Sequence, residues 1–394
     1  MNIARGSRIG CLGQDSGPPR SSRMRLAARA GIILSLALTT GCFDVDFLGV
    51  VPPPPSGGGS GSETPPAHQK WRSTRPLSTA RSSHAAALLP SGQVMVTGGV
   101  SSSAPPTADL SSSELYDPAT GTWTSTGSMN VPRIGPTAVL LPTGKVLIMG
   151  DARFSNTAEF YDEGTGVWTP TGSTFASRQF AQAVVLPSGQ VLVVGGVAAN
   201  PAGPGFAELY EPATGGWRPA RGNSRLLMGS TLSLLPSGKV LLSGGGYSST
   251  SAEAEVYDPS TDTWTPTGSM STPRDGHTAT RLPSGQVLVV GGGSAQAELY
   301  DPASGVWTSA GFLAHSRRSH TATLLPSGQV LVVGGGSAQA ELYDPASGVW
   351  TPTASLATPR SYHTATLLPS GEVLVAGGQD GNGGTLDTVE IYTP

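Results

Sequence analysis

All seven tryptophans of this chain fall on one series: Trp71, Trp123, Trp168, Trp217, Trp264, Trp307 and Trp350. From each, a Leu-Pro proline follows after 19 residues (Pro90, Pro142, Pro187, Pro236, Pro283, Pro326 and Pro369), and a glycine comes eight residues later, doubled in six of the seven units. A Tyr then precedes the next Trp by seven residues: Tyr116, Tyr161, Tyr210, Tyr257, Tyr300 and Tyr343. The stretches 282–308 and 325–351 are identical over 27 residues, the mark of tandem duplication. A period this strict means an array of one structural unit, each copy burying its apolar face against its neighbours. The 54 Gly and 34 Pro among 394 residues, which could be mistaken for disorder, belong to the period.

One unit reads as four strands. The segment 320–325, His-Thr-Ala-Thr-Leu-Leu, alternates and suits an inner strand. Pro326-Ser327-Gly328 makes a tight hairpin, with Pro fixing φ and Gly where φ must be positive. The run from Gln329 to Val333 is continuously apolar after its first residue, as for a strand buried on both faces. The segment 340–343 alternates again, 344–348 forms a second hairpin, and Val349-Trp350-Thr351 opens an outer strand. Asp262 stands at the glycine position of one such hairpin, and Asp tolerates the left-handed region better than most residues.

A doubled glycine ending the second strand, then Tyr and Trp at a fixed interval, resembles the kelch motif over residues 70–394. The resemblance implies an all-β, seven-bladed β-propeller with four antiparallel strands per blade. The last unit has Pro369, Gly377-Gly378 and Tyr392, then stops at Pro394 before a Trp is due, while Trp71 stands alone at the other end. The N-terminal strand is therefore expected to complete the last blade and close the ring, leaving no open edge there. The Tyr and Trp series is read as core, each Trp buried between blades.

Ahead of the propeller (residues 69–394) lie two other segments. Arg25 and Arg29 precede an apolar run, 32–38, too short to span a bilayer and right for the core of a signal peptide. It ends Thr39-Thr40-Gly41-Cys42, which resembles a bacterial lipoprotein signal whose cysteine becomes the lipidated first residue. Residues 1–41 are thus read as a signal sequence, with 1–23 an upstream extension if Met24 is the start. The alternative is an ordinary cleaved signal and a secreted protein. Phe43 after the cysteine points, by resemblance, to the outer membrane of a bacterial cell envelope. Residues 42–68, rich in Pro, Gly and Ser, read as a tether.

The first 41 residues hold six Arg and one Asp, so the remainder carries a net charge of about −8 within a total of −3, which is no footprint for nucleic acid. Both cysteines, Cys11 and Cys42, precede the propeller, which therefore has no disulfide, Cys-metal site or thiol nucleophile. Galactose-oxidase-like enzymes contain kelch-type blades, but that resemblance implies a cofactor with Cys crosslinked to Tyr, and no Cys is present here to form it. No cofactor and no metal are expected.

Binding is expected on the face of the second-to-third-strand loops, where all the length variation between units falls: residues 100–110, 197–206, 246–254 and 379–388. Six units carry Arg nine residues before the Leu-Pro proline: Arg81, Arg133, Arg178, Arg274, Arg317 and Arg360, with Leu227 in the fourth unit. Two readings of this series stand. The arginines ring the channel mouth and grip a ligand carboxylate, or each pins a blade-to-blade link through backbone carbonyls. His84, His277, His320 and His363, three residues after four of these arginines, are read as packing positions rather than a metal ring. The spare aromatics are Phe154, Phe180, Phe206, Tyr247, Phe312 and Tyr362, of which Phe206 and Tyr247, in long loops, are the stronger contact candidates. With no asymmetric set of carboxylates and no Ser-His-Asp group, the chain is read as a monomeric, non-catalytic binding or scaffold propeller for a protein or glycan. It would be displayed from a lipid anchor in the membrane. The alternative is a propeller enzyme acting on glycans or other envelope substrates.

Overall fold

The computed structural model describes residues 70–101, 108–150, 156–196, 207–221, 228–246 and 249–394. These residues form seven four-stranded antiparallel sheets, the blades of a β-propeller. Blade 1 consists of Ala85–Leu88, Val94–Thr97, Ser113–Asp117 and Thr122–Thr126, from the axis outwards. The innermost strands of blades 2 to 7 are Thr137–Leu140, Gln182–Val185, Thr231–Leu234, His277–Arg281, His320–Leu324 and Thr364–Leu367. Each adjoins the next around a ring, and the last adjoins the first. Blade 7 is completed by Trp71–Thr74, which pairs antiparallel with Val389–Tyr392, Trp71 opposite Tyr392 and Thr74 opposite Val389. The expected terminal closure is present.

The second strand of every blade is the most apolar, as in Val191–Val194 and Val330–Gly334, and is buried throughout. The apolar core is divided among the seams. Seven clusters each combine side chains of two adjacent blades, such as Val94 and Val96 of blade 1 with Leu374 and Ile391 of blade 7. A side chain there leaves water only because the neighbouring blade is present, so each blade draws its stability from the two beside it.

The invariant residues of the repeat supply polar ties across the same seams. Trp71, Trp123, Trp168, Trp217, Trp307 and Trp350 each donate the indole N–H to a backbone carbonyl of the preceding blade's outer strand or its exit, as in Trp168 to Gly127 O (2.9 Å) and Trp217 to Gly172 O (2.7 Å). Each Trp also stacks, tilted, on the Tyr opposite it, with centroids 4.8–5.2 Å apart. Such a stack contributes about 0.5–1.5 kcal/mol beyond burial. Full burial of the series is not found. Trp71 and Trp168 are buried, but the other five are half-buried, because the outermost strand turns one indole edge to solvent. Five Tyr hydroxyls pair with a Thr three residues after the preceding blade's Trp, as in Tyr161 with Thr126 (2.7 Å). Blade 3 has Ala220 at the Thr position, and Tyr257 instead donates to Asp262 (2.8 Å), which also holds Arg218 (2.7 Å). Asp262 has φ 54°, as expected for a glycine substitute in that turn.

Candidate functional site

The links between blades and the second-to-third-strand loops share one face. Each of the six repeated arginines leaves a link and folds into the following blade. Arg81 donates to Gly98 O (2.9 Å), at the end of the second strand, and to Glu114 Oε1 (2.7 Å) on the third. The other oxygen of Glu114 accepts the backbone N–H of Ser78 in the link (2.8 Å). The same clamp recurs as Arg133–Glu159, Arg178–Glu208, Arg274–Glu298, Arg317–Glu341 and Arg360–Glu390, at 2.6–2.9 Å, with every guanidinium at most 2% exposed. At Glu159, burial pushes the carboxyl pKa up, but the Asn130 N–H groups and the Arg133 guanidinium outweigh it and hold the group below the usual range.

This corrects the ligand-gripping expectation for Arg81, Arg133, Arg178, Arg274, Arg317 and Arg360. A guanidinium closed from solvent, with a carboxylate and carbonyls already on its N–H groups, presents nothing to a ligand. The arginines are link pins, and their carboxylate partners went unnoticed in the sequence. The signal was there: Glu stands two residues before Tyr in all seven units, at 114, 159, 208, 255, 298, 341 and 390.

The four histidines are also interior. Nε2 of His84, His277, His320 and His363 pairs with Thr364, Thr231, Thr278 and Thr321 of the preceding blade at 2.9–3.0 Å. Among the described residues no three His, Cys, Asp or Glu side chains gather as a metal site would require.

What does surround the axis on this face is a ring of left-handed residues. The second residue after the arginine position is Ser83, Gly135, Phe180, Gly229, Gly276, Ser319 or Tyr362, and all seven have φ of 51–64°. Backbone bonds run from blade to blade along it: Gly135 N–H to Ser83 O, Phe180 to Gly135, Gly276 to Gly229, Tyr362 to Ser319, and Ser83 to Tyr362 across the closure. Glycine belongs at such positions, whereas Phe and Tyr pay backbone strain there. Phe180 lays its ring against Gly135, where a Cβ would meet it at 2.5 Å. Tyr362 lies four blades further on, nearly opposite, and both are half-buried. Phe312 is 66% exposed on the outermost strand of blade 5. Phe206, Tyr247, Phe154 and Cys42 lie outside the described residues.

The fold defines a β-propeller of seven blades in which the same ties recur at every seam. Comparison with known proteins agrees with this fold: the kelch motif matches at residues 237–271. No curated protein matches it in sequence. Among solved structures it is similar to a novel fungal alcohol oxidase of the AA5 family in complex with copper, with 21% identity and a TM-score of 0.70 over 83% of this chain and 76% of that one. It is also similar to YjhT, with 16% identity and a TM-score of 0.54 over 67% of this chain and 96% of that one. At these identities the likeness shows the fold. It nonetheless corrects the expectation that the chain is not an enzyme, since a solved propeller of this architecture is an alcohol oxidase. The copper is that oxidase's, and residues 43–394 of this chain have no Cys to crosslink to a Tyr.

Proposed function

We propose that the protein is a recognition propeller that meets a protein or glycan ligand on the variable-loop face, around the left-handed ring at the axis. One observation carries this reading. At a position where glycine fits without strain, two units place aromatic side chains, nearly opposite one another and only half-buried. In a repeat, what every unit shares builds the ring, and strained departures from it are where specificity is sought. A second reading, catalysis at the same mouth on a glycan or other envelope substrate, is favoured by the alcohol oxidase that shares the fold.

The test compares the full chain with Phe180→Ser and Tyr362→Ser on a glycan array and as bait in envelope extract. Serine already occupies the same left-handed position at Ser83 and Ser319, so the variants are expected to fold. Binding should weaken by about tenfold or more, equivalent to about 1.4 kcal/mol. Unchanged binding would remove the mouth from the account, and turnover of an array sugar would favour the second reading.

The lipid anchor is part of the same proposal. It rests on the Cys42 signal, and multiple acyl chains would hold the protein stably at a membrane. Cys42→Ser is expected to move the protein from the membrane pellet to the soluble fraction. Pelleting as before would contradict the anchor.

A further inference from the structure

The four buried histidines are not spread evenly. They occupy blades 1, 5, 6 and 7, where each bonds the innermost strand of the blade before it, so they sit at the 4/5, 5/6, 6/7 and 7/1 seams. At the 1/2, 2/3 and 3/4 seams the same position holds Pro136, Ala181 and Ser230, none of which takes up a proton. We infer that acid opens the ring along one arc, at the seams flanking blades 5, 6 and 7, while the arc from blade 1 to blade 4 stays closed.

The geometry leaves no room for an imidazolium. Each ring is at most 7% exposed, and its Nδ1 is buried without a partner. All four rings lie against the first glycine of the preceding blade's pair: a Cβ at Gly377, Gly244, Gly291 or Gly334 would come within 2.4–2.9 Å of Cε1 of His84, His277, His320 or His363. The charged groups acting on them are cationic or titrate to cations: Arg81 on His84, Arg274 and His320 on His277, Arg317 on His320, and Arg360, His320 and His84 on His363. The nearby carboxylates, Glu114, Glu298, Glu341 and Glu390, are held by those same arginines. Burial first, then the guanidinium, holds His84, His277 and His320 down to about 3 and His363 well below its ordinary value.

The opened chain therefore binds protons that the closed ring refuses. The stabilisation is complete above the free histidine value of about 6.5 and is lost as pH falls below it. Releasing one histidine at pH about 5 favours the open form about thirty-fold, and releasing two favours it about a thousand-fold. Blades 5, 6 and 7 are each flanked by two such seams. Blade 7 is also the one closed by a strand from the far end of the chain.

Hydrogen exchange read by mass spectrometry on the full chain at pH about 7.5 and about 5, corrected for intrinsic rates, tests this. Protection should fall by about a hundred-fold or more in His320–Leu324 and Thr364–Leu367, and by less than about ten-fold in Thr137–Leu140 and Gln182–Val185. A uniform loss, or an earlier loss in blades 2 and 3, would overturn the inference. The combined substitution of His84, His277, His320 and His363 by Gln keeps an amide for the threonines and removes the proton site, and should abolish the difference between the arcs. If that variant does not fold, His363→Gln alone should spare the 6/7 seam. An acid response identical to that of the unaltered chain would assign the effect to carboxylates and contradict the inference.

Discussion

Arg274→Ala should lower the stability of the propeller by about 3–5 kcal/mol, because it leaves Glu298 buried and uncompensated. Arg274 is fully buried and holds Gly291 O, Gln296 O and Glu298 Oε1 at 2.6, 2.7 and 2.9 Å. Removing it strands a carboxylate oxygen and two carbonyls at once, and the link keeps only the bond from Ser271 N–H to Glu298 Oε2 (2.7 Å) at this clamp. Arg274→Leu combined with Glu298→Leu should cost less than Arg274→Ala, since no charge is then left in the interior. The exposed pair Arg318–Asp275 (2.9 Å) provides the contrast, and Arg318→Ala should change stability by about 0.5 kcal/mol or less. Urea unfolding measures all three. A loss below about 1 kcal/mol for Arg274→Ala would mean that the clamp does not hold the link.

Deleting residues 69–76 should have a larger effect still. The deletion removes Trp71–Thr74, so the Val389–Tyr392 strand becomes an open edge and Tyr392 loses the indole stacked at 5.0 Å. Blade 6 also loses the bond from Trp71 to Ala354 O. The seams are cooperative, so a gap in blade 7 weakens the blades on both sides, and the exposed edge is a template for association. A domain is stable by about 5–15 kcal/mol, and loss of a closing strand should remove a large part of that. The deleted protein should melt at a markedly lower temperature and elute as aggregates. A monomer with an unchanged melting temperature would show that closure is dispensable.

The architecture was legible because it is written in equal intervals. Trp71, stranded ahead of the first unit, and Tyr392, lacking a following Trp, together announced the closure, and Asp262 announced its turn. The arginine clamp was half legible. Its cation lies at a fixed distance from the Leu-Pro proline, but its carboxylate lies 24 to 33 residues away, beyond loops of unequal length, so spacing did not join them. The half-buried indoles were not foreseen although the sequence put Trp350 on an outer strand, because spacing does not show how much of an indole the neighbouring blade covers. The left-handed ring was hidden because Phe180 and Tyr362 look like ordinary loop aromatics until their φ values place them in register with Gly135, Gly229 and Gly276.

The central claim is that shared residues build the ring while the strained mouth and its loops meet the ligand. Hydroxyl-radical footprinting of the protein in lysate of its own cells, against the purified chain, tests this without a named ligand. Phe180 and Tyr362 should be shielded in the lysate, while Leu140, Pro187 and Pro259, at the hairpins of the opposite face, react equally in both. Shielding of Leu140, Pro187 and Pro259 with Phe180 and Tyr362 left reactive would place the partner on the wrong face and contradict the account.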